Sequence, residues 1–195
     1  MNRKKLIRFV ILPLLSIVIL ISVVVGMNTM NSKISSIILP EFIERGEYDG
    51  LSLTIYYLSP FAESVAPLEI NELIYGNNPP KKKNEILGLY DYRITSLGGY
   101  ENFEILKQLA NIDLVPIKNE SRINARIYYV FENEKGQKIC DVGMWGYPNN
   151  SVYFNGLEVE WNDVFSEVII PCLPEKAAKQ LELYVSENEG LNPNN

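Results

Sequence analysis

The chain of 195 residues carries 24 acidic against 18 basic side chains and no histidine, for a net charge of −6 at pH 7. Four of the cations (Arg3, Lys4, Lys5, Arg8) stand in the first eight positions, so the remainder is strongly acidic and, apart from the run Lys81-Lys82-Lys83, lacks the Lys/Arg clusters that neutralise phosphates; no nucleic acid is expected as a partner. The missing imidazole removes Ser-His-Asp and Cys-His catalysis, His-ligated zinc and the usual general base near neutral pH.

Residues 1–5 form a basic tip. Residues 6–25, LIRFVILPLLSIVILISVVV, are an apolar run of roughly the 20 residues needed to cross a hydrocarbon core. Arg8 can snorkel toward the headgroups, and Pro13 is tolerated in such helices. With the cations on the N-terminal side alone, residues 6–26 are expected to be a single-pass signal anchor in the cytoplasmic membrane. The N-terminus is then cytoplasmic and the C-terminal domain extracytoplasmic. The alternative is a cleaved signal peptide, with secretion after cleavage near Gly26. The apolar stretch from Phe9 to Val25 is longer than a usual signal core, which favours the anchor.

Residues 27–49 read as a juxtamembrane stalk, with a short amphipathic turn over Ile37–Arg45. Hydrophobic residues make up 47% of the whole chain, ordinary for a globular protein, and residues 50–186 are expected to form one domain. Leu51–Ser59 alternates with a period of two and predicts a strand ended by Pro60. Pro67–Tyr75 is ambiguous, with Leu68, Leu73 and Ile74 able to share one helical face that Pro67 would begin, and Asn77–Asn84, with Lys81-Lys82-Lys83, is a solvated loop. Glu85–Ser96 alternates and predicts a second strand, and Glu101–Ala110 has helical spacing with Asn111 as its stop.

From Arg122 to Trp161 four alternating runs are separated by turn residues, which predicts a four-stranded antiparallel meander. Asn155-Gly156 marks its last hairpin, because both residues tolerate positive φ. Asp163 is a candidate cap for a helix over Val164–Ile170, interrupted by Pro171. Pro174-Glu175 opens another helix over Glu175–Tyr184. Residues 187–195 are polar and read as a disordered tail. The fold class is α+β, an antiparallel sheet with helices packed on one face.

Chemistry is sparse. Cys140 and Cys172 have no CxxC spacing. Outside the cytosol they are a candidate disulfide, and as apolar residues they are two buried free thiols. Glu158 and Glu160 share a strand face, as a carboxylate hydrolase would need, yet any half-exposed strand gives that alternation. No catalytic residue, metal site or cofactor is assigned. The remaining candidate is the stretch MWGYPNNSVYFNGLEVEWND, residues 144–163. Trp145, Tyr147 and Tyr153 are its candidate ligand-binding aromatics, whereas Trp161 alternates with the two glutamates and is expected to face the core.

The N-terminal anchor followed by WG-(x)4-SVYFNG-(x)8-F-(x)3-IIPCLPEKAAK resembles small membrane-anchored ectodomains of unknown function from low-GC Gram-positive bacteria. That resemblance covers roughly residues 50–185 and implies location and domain type, with no activity attached. The leading expectation is a non-enzymatic domain that binds a partner, such as a cell-envelope protein. A peptide- or glycan-binding module is the alternative, and a carboxylate-based cell-wall hydrolase the third.

Overall fold

The computed structural model describes residues 39–62, 67–76, 88–117, 124–145 and 151–189. The expected basic tip, membrane segment and stalk up to residue 38, the expected loop with Lys81–Lys83, Tyr147 and residues 190–195 lie outside the described residues. Among the described residues no helix is long and apolar enough to cross a membrane.

Residues 39–45 are helical (α1). There follow β1 (Ser52–Tyr57), α2 (Ile70–Tyr75), β2 (Tyr92–Ser96), α3 (Gly99–Ala110), β3 (Ala125–Glu132), β4 (Lys138–Trp145), β5 (Ser151–Phe154) and β6 (Leu157–Glu160). The chain closes with α4 (Val164–Glu167), a 3-10 turn (Ile170–Cys172) and α5 (Glu175–Glu189). All strand pairs are antiparallel and the spatial order is β2-β1-β3-β4-β5-β6. The meander expected over residues 122–161 is therefore β3 to β6, and β1 joins it beside β3. At its last turn Asn155 has φ 47° and Gly156 φ 89°, the conformation that residue pair was expected to supply.

The period of two sorts the strands into two faces. On the first, Leu53, Ile55, Ile127, Phe131, Val142 and Val159 join one buried cluster with Phe103, Leu106 and Leu109 of α3, Phe165 of α4, and Ala177 and Leu181 of α5. Two buried phenols fasten helices to this face: the Tyr129 hydroxyl donates to Phe165 O at 2.9 Å and the Tyr57 hydroxyl to Ala177 O at 3.2 Å. Buried Asn102 ties α3 to the strand ends, donating to Leu51 O and Ser96 O. The start of α3 lies so close to the chain before β1 that a Cβ on Gly99 would stand 2.4 Å from Tyr48 O. Only glycine fits there.

Several boundaries differ from the sequence expectation. Of the second strand expected over Glu85–Ser96, residues 85–87 lie outside the described residues, and among the described ones it is Tyr92–Ser96, because its partner β1 ends at Tyr57 opposite Tyr92. Pro67–Tyr75 resolves into a helix starting at Ile70, where Glu69 and Glu72 form a reciprocal capping box. Helix α2 packs Leu73 on the second sheet face, beside Tyr128 and Val130, so the helices are not all on one face. Asp163 does not cap α4 with its side chain. Asn162 Oδ1 accepts from Val164 N–H instead, and Asp163 is occupied by the Trp161 indole N–H at 2.8 Å. Helix α5 runs through Glu189, past the residue where the polar tail was expected to begin.

Candidate functional site

The second sheet face carries the polar and aromatic half of every strand. One ladder row crosses all six: Arg93 opposite Tyr56, Tyr56 opposite Tyr128, Tyr128 opposite Gly143, Gly143 opposite Tyr153, and Tyr153 opposite Glu158. With strands about 4.8 Å apart the row runs about 24 Å from a cation to an anion. The Arg93 guanidinium sits 5.6 Å from the Tyr56 ring centroid. The Tyr56 ring meets Tyr90 edge-on at 5.5 Å and tilts against Tyr128 at 6.2 Å. Tyr56, Tyr90 and Tyr153 are half-buried, and Tyr128 is buried.

A buried acid sits one step along the same face. Asp141 is 3% exposed, and its Oδ2 accepts from the Tyr128 hydroxyl at 3.1 Å. Lys138 Nζ lies 3.1 Å from Oδ1, an ion-pair distance without hydrogen-bond alignment. The Asp141 N–H donates to Asn155 Oδ1 at 2.9 Å, so the hairpin turn supports the acid's backbone. Burial pushes the Tyr128 hydroxyl far above its ordinary pKa, and the Asp141 charge pushes the same way. The same two causes raise Tyr153. Gly143 has no side chain between these two tyrosines, which lets cross-strand rings share the space above it.

Of the aromatics singled out in the sequence, Tyr153 belongs to this row. Trp145 closes β4 with its backbone opposite Ala125. Tyr147 lies outside the described residues, so the three are not seen assembled. Trp161 packs half-buried against the core, as its alternation implied. Glu158 accepts from the Ser151 hydroxyl at 2.5 Å and shares its face with exposed Glu160. The residues missed in the sequence are Arg93, Tyr56, Tyr128 and Asp141. A glycine inside a strand pattern, as at Gly143, marks a close approach and was the available signal for them.

Cys140 and Cys172, the candidate disulfide pair, are both free thiols in the structure. Cys140 faces the core from β4, fully buried, while Cys172 ends the 3-10 turn half-buried. Burial raises both thiols above their ordinary pKa. Alkylation of the folded chain is expected to label Cys172 alone, and denaturant to expose Cys140 as a second site. No labelling before a reductant is added would mean the two are bonded after all. Among the described residues no group of three or more Cys, Asp or Glu side chains is placed to hold a metal ion.

No protein-family model, curated protein or solved structure matches this chain, and what its site can do rests on the geometry above.

Proposed function

We propose that the chain is a single-pass, membrane-anchored extracytoplasmic domain that is non-enzymatic and binds a protein of the cell envelope through its second sheet face. The observation that carries it is the row from Arg93 to Glu158. It places half-exposed tyrosines between two opposite charges, the composition that dominates binding hot spots. The buried Asp141–Tyr128 pair fixes the rings from below and limits the entropy lost on docking. The apolar run at residues 6–25 and the one-sided cations support the location.

A photo-crosslinking side chain at Glu160, at the rim of this face, is expected to capture one envelope protein in intact cells expressing the full chain. Tyr153→Ala should weaken that capture by about tenfold or more if the ring is a hot spot. Capture unchanged by Tyr153→Ala, or none at all, would remove this proposal. Recovery of wall glycan in place of protein would support the peptide- or glycan-binding alternative, which the row of tyrosines also favours.

A further inference from the structure

The two edges of the sheet are finished differently. On β6 the backbone of Glu158 and Glu160 points outward and is taken by the segment at 115–117. Ile117 N–H donates to Glu158 O at 3.0 Å and Glu160 N–H to Val115 O at 2.9 Å. On β2, among the described residues, no backbone hydrogen bond reaches the outer edge.

Which β2 groups face outward follows from the ladder. Leu58 N–H bonds Arg126 O at 2.7 Å, in register with Tyr57 opposite Ile127. The even residues of β1 therefore turn toward β3 and the odd ones toward β2. Leu53 and Ile55 lie opposite Ser96 and Ile94, so those two β2 residues bond inward. Arg93 and Thr95 are left presenting both N–H and C=O to the outside. The same alternation carried across the sheet turns Glu158 and Glu160 outward on β6, where the bonds to 115–117 are in fact found.

The two open residues are symmetric about Ile94. We propose that β2 pairs antiparallel with β2 of a second copy of this chain, the two-fold axis passing Ile94. Arg93 faces the partner's Thr95, Thr95 faces the partner's Arg93, and the sheet becomes continuous through the dimer. Self-complementarity of this kind is what a two-fold interface requires, and an arbitrary peptide would not need it. The flanks agree. Leu97, 81% exposed and the most exposed large hydrophobic residue described, follows β2, and Leu89, 40% exposed, precedes it. The axis brings Leu97 of one copy to the end of the strand that carries Leu89 in the other. None of the usual edge protections is present in YRITS: no proline, no lysine and no bulge. The one charge, Arg93, is drawn back over Tyr56.

The test uses the full-length chain in mild detergent, with Cys172 replaced by Ser. At the axis Ile94→Cys meets its own copy at a Cα separation of about 4.5 Å, within disulfide reach. Oxidation is expected to convert most of that variant to linked pairs. Since Ile94 also touches the core, Arg93→Cys and Thr95→Cys chains mixed together serve as a second measurement and should link to each other. Leu183→Cys, exposed on α5, should stay single. Thr95→Pro removes an outward N–H and spares the backbone bonds to β1, giving up only the Thr54–Thr95 hydroxyl contact at 3.3 Å, and should raise the dimer dissociation constant about tenfold or more. A single-chain mass for the unmodified protein by light scattering would overturn the dimer. So would Leu183→Cys linking as well as Ile94→Cys, failure of both the Ile94 and the mixed Arg93/Thr95 cross-links, or a Thr95→Pro chain that still pairs normally.

Discussion

Between pH 10 and 12 the domain is expected to lose its fold, and three tyrosines account for the steepness. Tyr57, Tyr128 and Tyr129 are all buried, and burial raises each hydroxyl well above its ordinary value of 10. Below pH 10 folded and unfolded chains hold these protons alike, and the three contribute nothing to the pH dependence. Above it the unfolded chain releases them while the folded one does not, so the unfolded state binds fewer protons and stability falls as pH rises. Each phenol costs about 1.4 kcal/mol per pH unit in that window, and three together cost about 4. Against the ~5–15 kcal/mol of a typical domain, that is enough to unfold it by about pH 12. Urea denaturation repeated from pH 8 to pH 11.5 would measure the slope. Tyr129→Phe should remove about a third of it, and a midpoint constant across the series would show the phenols ionising in the folded protein.

Phe131→Ala is expected to be the most damaging single truncation in the core. The ring is fully buried at the centre of the sheet, opposite Leu53 on one side and Cys140 on the other. It meets the Tyr129 ring edge-on at 6.3 Å. Removing a phenyl group from such a site costs about 3–5 kcal/mol, the transfer loss plus the cavity left behind. The urea midpoint should drop accordingly with the slope unchanged. Leu157→Ala, at the exposed end of β6, should stay within about 0.5 kcal/mol. A loss below about 1.5 kcal/mol for Phe131→Ala would mean that the helices above it close the gap.

The meander was legible because each of its strands satisfies a local rule. Alternation sets the faces of β3, and Asn155-Gly156 has the backbone its turn needs. Helix α3 was legible from its spacing, with Asn111 at its end. The placement of β1 between β2 and β3 was not, because it depends on contacts such as Thr54 with Thr95 and Ile55 with Tyr129, far apart in sequence. The extent of β2 was misjudged for the same reason, since a strand is as long as its partner allows. The site shows a similar division. Tyr153 could be named from its aromatic neighbourhood. Asp141 carries no local signal, and what surrounds it is the convergence of Tyr128 from β3, Lys138 from β4 and Asn155 from the β5–β6 turn. Asp163 looked like a cap because it precedes an apolar run, but the Trp161 indole two residues earlier claims its carboxylate.

The strap formed by residues 115–117 has a consequence for how far association can go. A sheet open at both edges can grow strand upon strand without limit, which is the geometry of a fibril. Here the strap seals β6 with a proline at its centre, Pro116 opposite Val159, and a proline offers no N–H to a newcomer. Addition at β2 therefore terminates after one event, since the outer edge of each copy is already closed. Loosening the strap, for instance by Ile117→Gly, would turn a finite pair into a chain-growth problem.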